Sequence, residues 1–250
     1  MTEERKLDNP PIIEAVLDID CDFQAELDFK KIEVRARKEL AKSYPKLRRQ
    51  FFHEQQFEAK VNETPKFSVK GGLQGLQFLR QDEKQLIQFR RQGFSFNRLA
   101  PYSSLDAYLP QIKKCWTLYA KLASPVQINS IRLRYINRIL LPLVNGNVNF
   151  DEYLLNGPRV ADPERLALVG FLNQYAAIDK KSGHQINSVI TLQPVDKNDK
   201  LPIILDNGVV AVEAAQVDDW PWIRSKILEL REVKNHIFWN TLKEKCLNQF

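Results

Sequence analysis

The sequence predicts an α+β protein of two similar halves. Each half reads strand, helix, three to four antiparallel strands, helix, and a long C-terminal helix packs on antiparallel sheet. Three observations lead there. Residues 131–142 alternate with a period of two, sending Ile131, Leu133, Tyr135, Ile139 and Leu141 to one face and Arg132, Arg134 and Arg138 to the other. The segments 28–44, 104–122 and the stretch after Asp218 carry a helical period instead. Strand-like segments come in clusters rather than alternating one by one with helices, which points to meanders and not to a parallel α/β sheet.

The elements follow in order. Pro11 to Phe23 alternates, with Ile13, Ala15, Leu17, Ile19 and Cys21 on one side and Glu14, Val16, Asp18, Asp20 and Asp22 on the other. Phe29, Ile32, Ala36 and Leu40 then form the stripe of a helix that ends at Tyr44-Pro45, because a residue before proline is driven out of the helical region. Strands are expected at 50–61, 67–80, 84–91 and 93–98, with Asp82-Glu83 as a tight turn. Ser103 or Ser104 caps a helix over 104–122 that carries Leu105, Tyr108, Ile112, Trp116 and Tyr119 inward. Pro110 should kink it or mark a late start. The second half begins with the arginine strand, 126–142, followed by a turn at Asn145-Gly146-Asn147 and a short helical segment at 149–155. Strands near 166–178, 184–194 and 202–214 precede a helix capped by Asp218 or Asp219, with Pro221 in its first turn. Its stripe is Ile223, Ile227, Leu230, Val233 or Lys234, Ile237, Thr241 or Leu242, and Cys246. The halves divide at 1–124 and 125–250 and are expected to form one compact unit; no sequence identity links them.

With 250 residues, 44% hydrophobic and 27% charged, the chain can bury a substantial core. No apolar run is long enough to span a bilayer, and the N-terminus lacks the apolar stretch of a signal peptide. Cys21, Cys115 and Cys246 lie far apart, with no CxxC pair, and read as thiols of a reducing compartment. A cytoplasmic location is the expectation. The net charge of +6 is local: residues 30–49 hold nine lysines and arginines against only Glu33 and Glu39, so the rest of the chain is close to neutral.

Two stretches carry a resemblance, Asn9-Pro10-Pro11-Ile12-Ile13-Glu14-Ala15-Val16 and Leu133-Arg134-Tyr135-Ile136-Asn137-Arg138-Ile139. Supporting stretches are Gln88-Phe89 through Phe94-Ser95-Phe96-Asn97, the Tyr102, Trp116 and Tyr119 helix, and Ile237-Phe238-Trp239-Asn240-Thr241-Leu242. On these the chain resembles a sporadically distributed family of uncharacterised prokaryotic proteins. The resemblance implies no activity. The family's patchy distribution implies horizontally moved genes, such as defence or toxin–antitoxin-like neighbourhoods.

Candidate sites have competing readings. Arg132, Arg134 and Arg138 form an anion-binding row, since guanidinium forks grip phosphates and carboxylates. Alternatively they form a structural ion-pair seam with Glu14, Asp18, Asp20 and Asp22, if the two strands are neighbours. Asn137 falls on the apolar side and needs a hydrogen bond if buried. The acidic row also suits a Mg²⁺-dependent phosphoryl-transfer site, although the Glu-x-Glu-x-Lys pattern of triphosphate-processing tunnel enzymes is absent. Lys30, Lys31, Arg35, Lys38 and Lys42 make a basic surface for docking an acidic protein or for contacting nucleic acid.

Other chemistry finds no motif. Lys70-Gly71-Gly72-Leu73-Gln74-Gly75 is not a phosphate loop and reads as a turn before a strand. His53-Glu54-Gln55-Gln56-Phe57 lacks the second histidine of a zincin, and His53, His184 and His236, the only histidines, are each isolated from any cysteine or carboxylate motif. Trp220, Trp222 and Trp239 read as packing anchors, or as an interface if exposed. No cofactor, metal ligand or catalytic residue is assigned. The expected function is a non-enzymatic binding or adaptor protein that contacts another protein. Nucleic-acid or nucleotide binding is the alternative, and the Mg²⁺ enzyme a third reading.

Overall fold

A computed structural model describes residues 7–58, 66–162, 165–166, 168–195 and 199–250, with the backbone alone described for 53–58 and 66–70. Among the described residues, nine strands form one antiparallel sheet: β1 (Ile12–Asp22), β2 (Lys46–Glu58), β3 (Lys66–Leu79), β4 (Gln85–Arg90), β5 (Gly93–Leu99), β6 (Gln127–Pro142), β7 (Leu172–Ile178), β8 (Gln185–Leu192) and β9 (Lys200–Ala215). Their order across the sheet is β2-β3-β4-β5-β1-β6-β9-β8-β7. The first strand and the arginine strand are thus central neighbours, with Asp18 opposite Arg132 and Leu17 opposite Leu133.

Alternation along β1 and β6 decides which side of the sheet is covered. Leu17, Ile19, Ile131, Leu133 and Tyr135 face α1 (Phe29–Leu40), α2 (Leu105–Ala123) and α3 (Trp220–Trp239) in one apolar cluster. A 12-residue helix such as α1 is marginal by itself, so burial of Phe29, Ile32, Ala36 and Leu40 positions it. Each large side chain so buried contributes roughly 1.5–3 kcal/mol. A second cluster joins Ile139, Leu141, Ile203 and Leu205 to Phe238 and to α4 (Glu244–Leu247) at the far end of the sheet. No helix among the described residues is long and apolar enough to cross a membrane.

Several expectations shift. The register of β1 against β6 slips between Ile12 and Glu14, so Ile12 packs on the core while Ile13 is 37% exposed, although simple alternation places Ile13 inside. Helix α2 runs through Pro110 without a late start, because Ser104 caps it and its Oγ accepts from the Ala107 amide at 3.2 Å. The glycines 71, 72 and 75 lie within β3 and not in a turn before it. Strand β2 starts at Lys46, ahead of the expected residue 50, and residues 59–61 of that expectation lie outside the described residues. The segment expected to be helical at 149–155 is a single 3-10 turn, Phe150–Glu152, and β7 starts at Leu172 rather than near 166. The turn at Asp82-Glu83 is present, with Glu83 in the left-handed region.

Candidate functional site

The uncovered face of the sheet carries the charged row of β1. Arg90, reaching from β4, donates to Asp20 at 2.8 Å and lies 3.5 Å from Asp18. Ser95 donates to Asp18, and Ser130 to Asp20 at 3.3 Å. The reach is possible because Gly93, at φ +149°, stands between: a Cβ there would lie 2.0 Å from the Ile19 carbonyl oxygen. Glu14 closes a chain of side-chain amides in which Gln77 donates to Gln88, Gln88 to Asn97 and Asn97 to Glu14, at 2.9–3.1 Å. On the other side of β6, Arg134 grips Asp206 of β9 with two guanidinium nitrogens, Nε at 2.7 Å. That grip raises the guanidinium pKa further.

The acidic and arginine rows are therefore adjacent, but each finds its partner elsewhere. Arg90 holds the aspartates and Asp206 holds Arg134. Arg138 makes a long contact of 3.4 Å to Gln193, and exposed Arg132 has no ion pair among the described residues. Arg132 and Arg134 line one side of an open groove of about 690 Å³ whose other side is β7 and β8.

A second concavity lies on the helical side, where the starts of β1 and α2 meet the last turns of α3. This pocket of about 390 Å³ is lined by Pro10, Pro11 and Ile12, by Tyr102 through Asp106, by Tyr135 and Asn137 of β6, and by Arg231, Lys234, Phe238 and Trp239. Asn137 is buried at 2% exposure and donates to the Leu205 carbonyl at 3.0 Å, so its amide is satisfied. Tyr102 and Tyr135 share a hydrogen bond between their hydroxyls. Arg231 pairs with Asp106 at 2.6 Å.

Lys234 is the exception. It is 7% exposed, its ammonium lies 3.8 Å from the centre of the Tyr135 ring, and no carboxylate pairs with it among the described residues. Burial, helped by the neighbouring Arg231 charge, pushes its pKa down to about 7. The first turn of α2 borders the same pocket. Helix geometry leaves the amides of Leu105 and Asp106 without intrahelical acceptors, so that end of the helix favours negative charge. Positive potential, free donors and an apolar wall thus converge on one space.

The basic residues Lys30, Lys31, Arg35, Lys38 and Lys42 are all exposed along or just beyond α1, away from this pocket. Lys31 pairs with Asp28, and Glu33 takes Arg37 and Arg49. All three cysteines are buried, and burial pushes Cys21 and Cys246 up to about 12, where a thiol is inert. Trp239 is half-buried in the pocket wall. Lys234, Tyr102, Arg231 and Asp106 are absent from the residues that sequence reasoning singles out as sites. One signal pointed to them: a lysine on the apolar stripe of the last helix. No protein-family model matches this chain, and no curated protein matches it.

Proposed function

We propose that this chain is a non-enzymatic binding protein whose pocket between α2, α3 and the starts of β1 and β6 takes a small organic anion with an apolar body. The observation that carries the reading is the buried amine of Lys234, which faces an open pocket and has no carboxylate partner among the described residues. A buried charge is retained at a cost unless something neutralises it. A carboxylate would do so, while the α2 amides donate to its second oxygen and Phe238, Trp239 and Pro11 cover the rest. The motif stretches support the same place: Pro10-Pro11-Ile12, Tyr135 with Asn137, Tyr102, and Phe238-Trp239 all line it. Thermal unfolding with benzoate, phenylacetate and inorganic phosphate tests the idea. A carboxylate should raise the melting temperature of the wild type and leave Lys234→Met unmoved. Equal shifts in both proteins, or none in either, would remove it.

A second reading, contact with a protein partner in the cytoplasm, is favoured by β7. Among the described residues this edge strand pairs with β8 alone, all seven of its residues are exposed, and Leu-Asn-Gln-Tyr-Ala-Ala-Ile contains neither charge nor proline to discourage strand addition. Capture of a partner by the wild type but not by Ala176→Lys would support it. The order of strands also favours a relation between the halves: β5 returns beside β1 as β9 returns beside β6. The 3-10 turn of the second half stands where the first has α1.

A further inference from the structure

We propose that Lys234 captures anions that carry a carbonyl carbon beside the charged group, 2-oxo acids and their like, as a reversible imine. The inference rests on the anion-binding reading of this pocket and adds a covalent step to it. Three features of the geometry support it. The Lys234 amine is held at the pocket wall, where among the described residues no acceptor occupies it and its close partner is the face of Tyr135. The hydrogen-bonded hydroxyls of Tyr102 and Tyr135 line the same space. The α2 N-terminus supplies a place for the carboxylate beside the amine, so a carbonyl next to it is presented to the amine.

The charged and titratable groups around the amine are Arg231 on its own helix, Asp106 on α2, Tyr102 ahead of α2 and Tyr135 on β6. Asp106 is taken by Arg231, which leaves Lys234 desolvated beside a cation. In the free pocket that environment favours the neutral amine, the form able to attack a carbonyl; a bound carboxylate draws it toward the ammonium, so attack proceeds through the neutral fraction that remains. Tyr135 is pushed up to about 12, and Tyr102 is raised further, so both hydroxyls remain protonated donors at neutral pH.

The step balances without another reagent. The Nζ lone pair forms a bond to the carbonyl carbon, and the oxygen gathers the amine proton to give a carbinolamine. Loss of that hydroxyl with a second proton, relayed through the tyrosine hydroxyls, breaks the C–O bond. It leaves a C=N bond and one water.

The test incubates the full chain at neutral pH with pyruvate and cyanoborohydride, and in parallel with propionate, which has the carboxylate but no reactive carbonyl. Peptide mapping by mass spectrometry then locates the reduced adduct. The expected result is labelling of Lys234 on the order of a hundredfold over exposed Lys30 or Lys38, following the larger neutral fraction of a depressed amine. Lys234→Met should lose that adduct while melting at or above the wild-type temperature. Labelling spread evenly over surface lysines would overturn the imine. So would stabilisation by both acids with no adduct at Lys234, an outcome that leaves the anion site standing. No stabilisation by either acid and no adduct would remove both.

Discussion

Two polar regions of this molecule sit on opposite faces of the same central strands, and they treat charge differently. On the uncovered face, Asp18 and Asp20 share Arg90, Arg134 holds Asp206, and Glu14 ends an amide chain. On the helical face, Lys234 is buried more deeply than any of these groups and has no counter-ion among the described residues. A satisfied charge on a sheet surface explains itself as structure. An unsatisfied one opening into a pocket does not, because an apolar side chain of similar size would be cheaper there. The difference separates a seam from a site.

Substitutions on the two sides should respond accordingly. The largest effect is expected at Arg90→Met. It strands two carboxylates that are 17% and 30% exposed, and urea unfolding should show a loss of about 3 kcal/mol, near the low end for a broken buried pair because some water reaches them. Lys234→Met should go the other way and stabilise the protein by about 1 kcal/mol at neutral pH.

The pH dependence sharpens that contrast. The folded-state pKa of Lys234, about 7, lies below its unfolded value. Between the two, the unfolded chain binds more protons, so wild-type stability rises with pH from about 7 upward, at no more than about 1.4 kcal/mol per unit. Below pH 7 both states carry the proton and the full burial cost remains. Denaturation midpoints at rising pH should show this slope in the wild type and its loss in Lys234→Met. Tyr102→Phe, which deletes one hydrogen bond in the pocket wall, should cost about 1 kcal/mol in the same assay. The smallest change is expected at Arg132→Ala, within about 0.5 kcal/mol of the wild type, since its exposed guanidinium has no ion pair among the described residues.

Much of the scaffold was legible because it rests on local periodicity. The faces of β1 and β6 and the stripes of α1 and α3 follow from residue spacing, which also brings the helix caps to Ser103 or Ser104 and to Asp218 or Asp219, of which the fold uses Ser104 and Asp219. The slip at Ile12 and Glu14 was not, because a bulge depends on how two strands fit and leaves no mark in the alternation of one. The same limit applies to charge. The adjacency of the acidic and arginine strands could be guessed, but Arg90 lies across an intervening strand and Asp206 on the far side of β6, contacts that only the sheet order creates. The pocket gathers residues from four distant stretches, and only Lys234 on an apolar stripe hinted at it.

Calorimetric binding of a carboxylate such as phenylacetate near pH 8, repeated in buffers of different ionisation enthalpy, reads out whether Lys234 is the group that meets the anion. Near that pH the free pocket holds Lys234 largely neutral, and an anion beside it restores the charge. Uptake of close to one proton per anion bound is expected for the wild type, and no uptake in Lys234→Met. Binding without proton uptake, or uptake that survives in the variant, would contradict that role of Lys234.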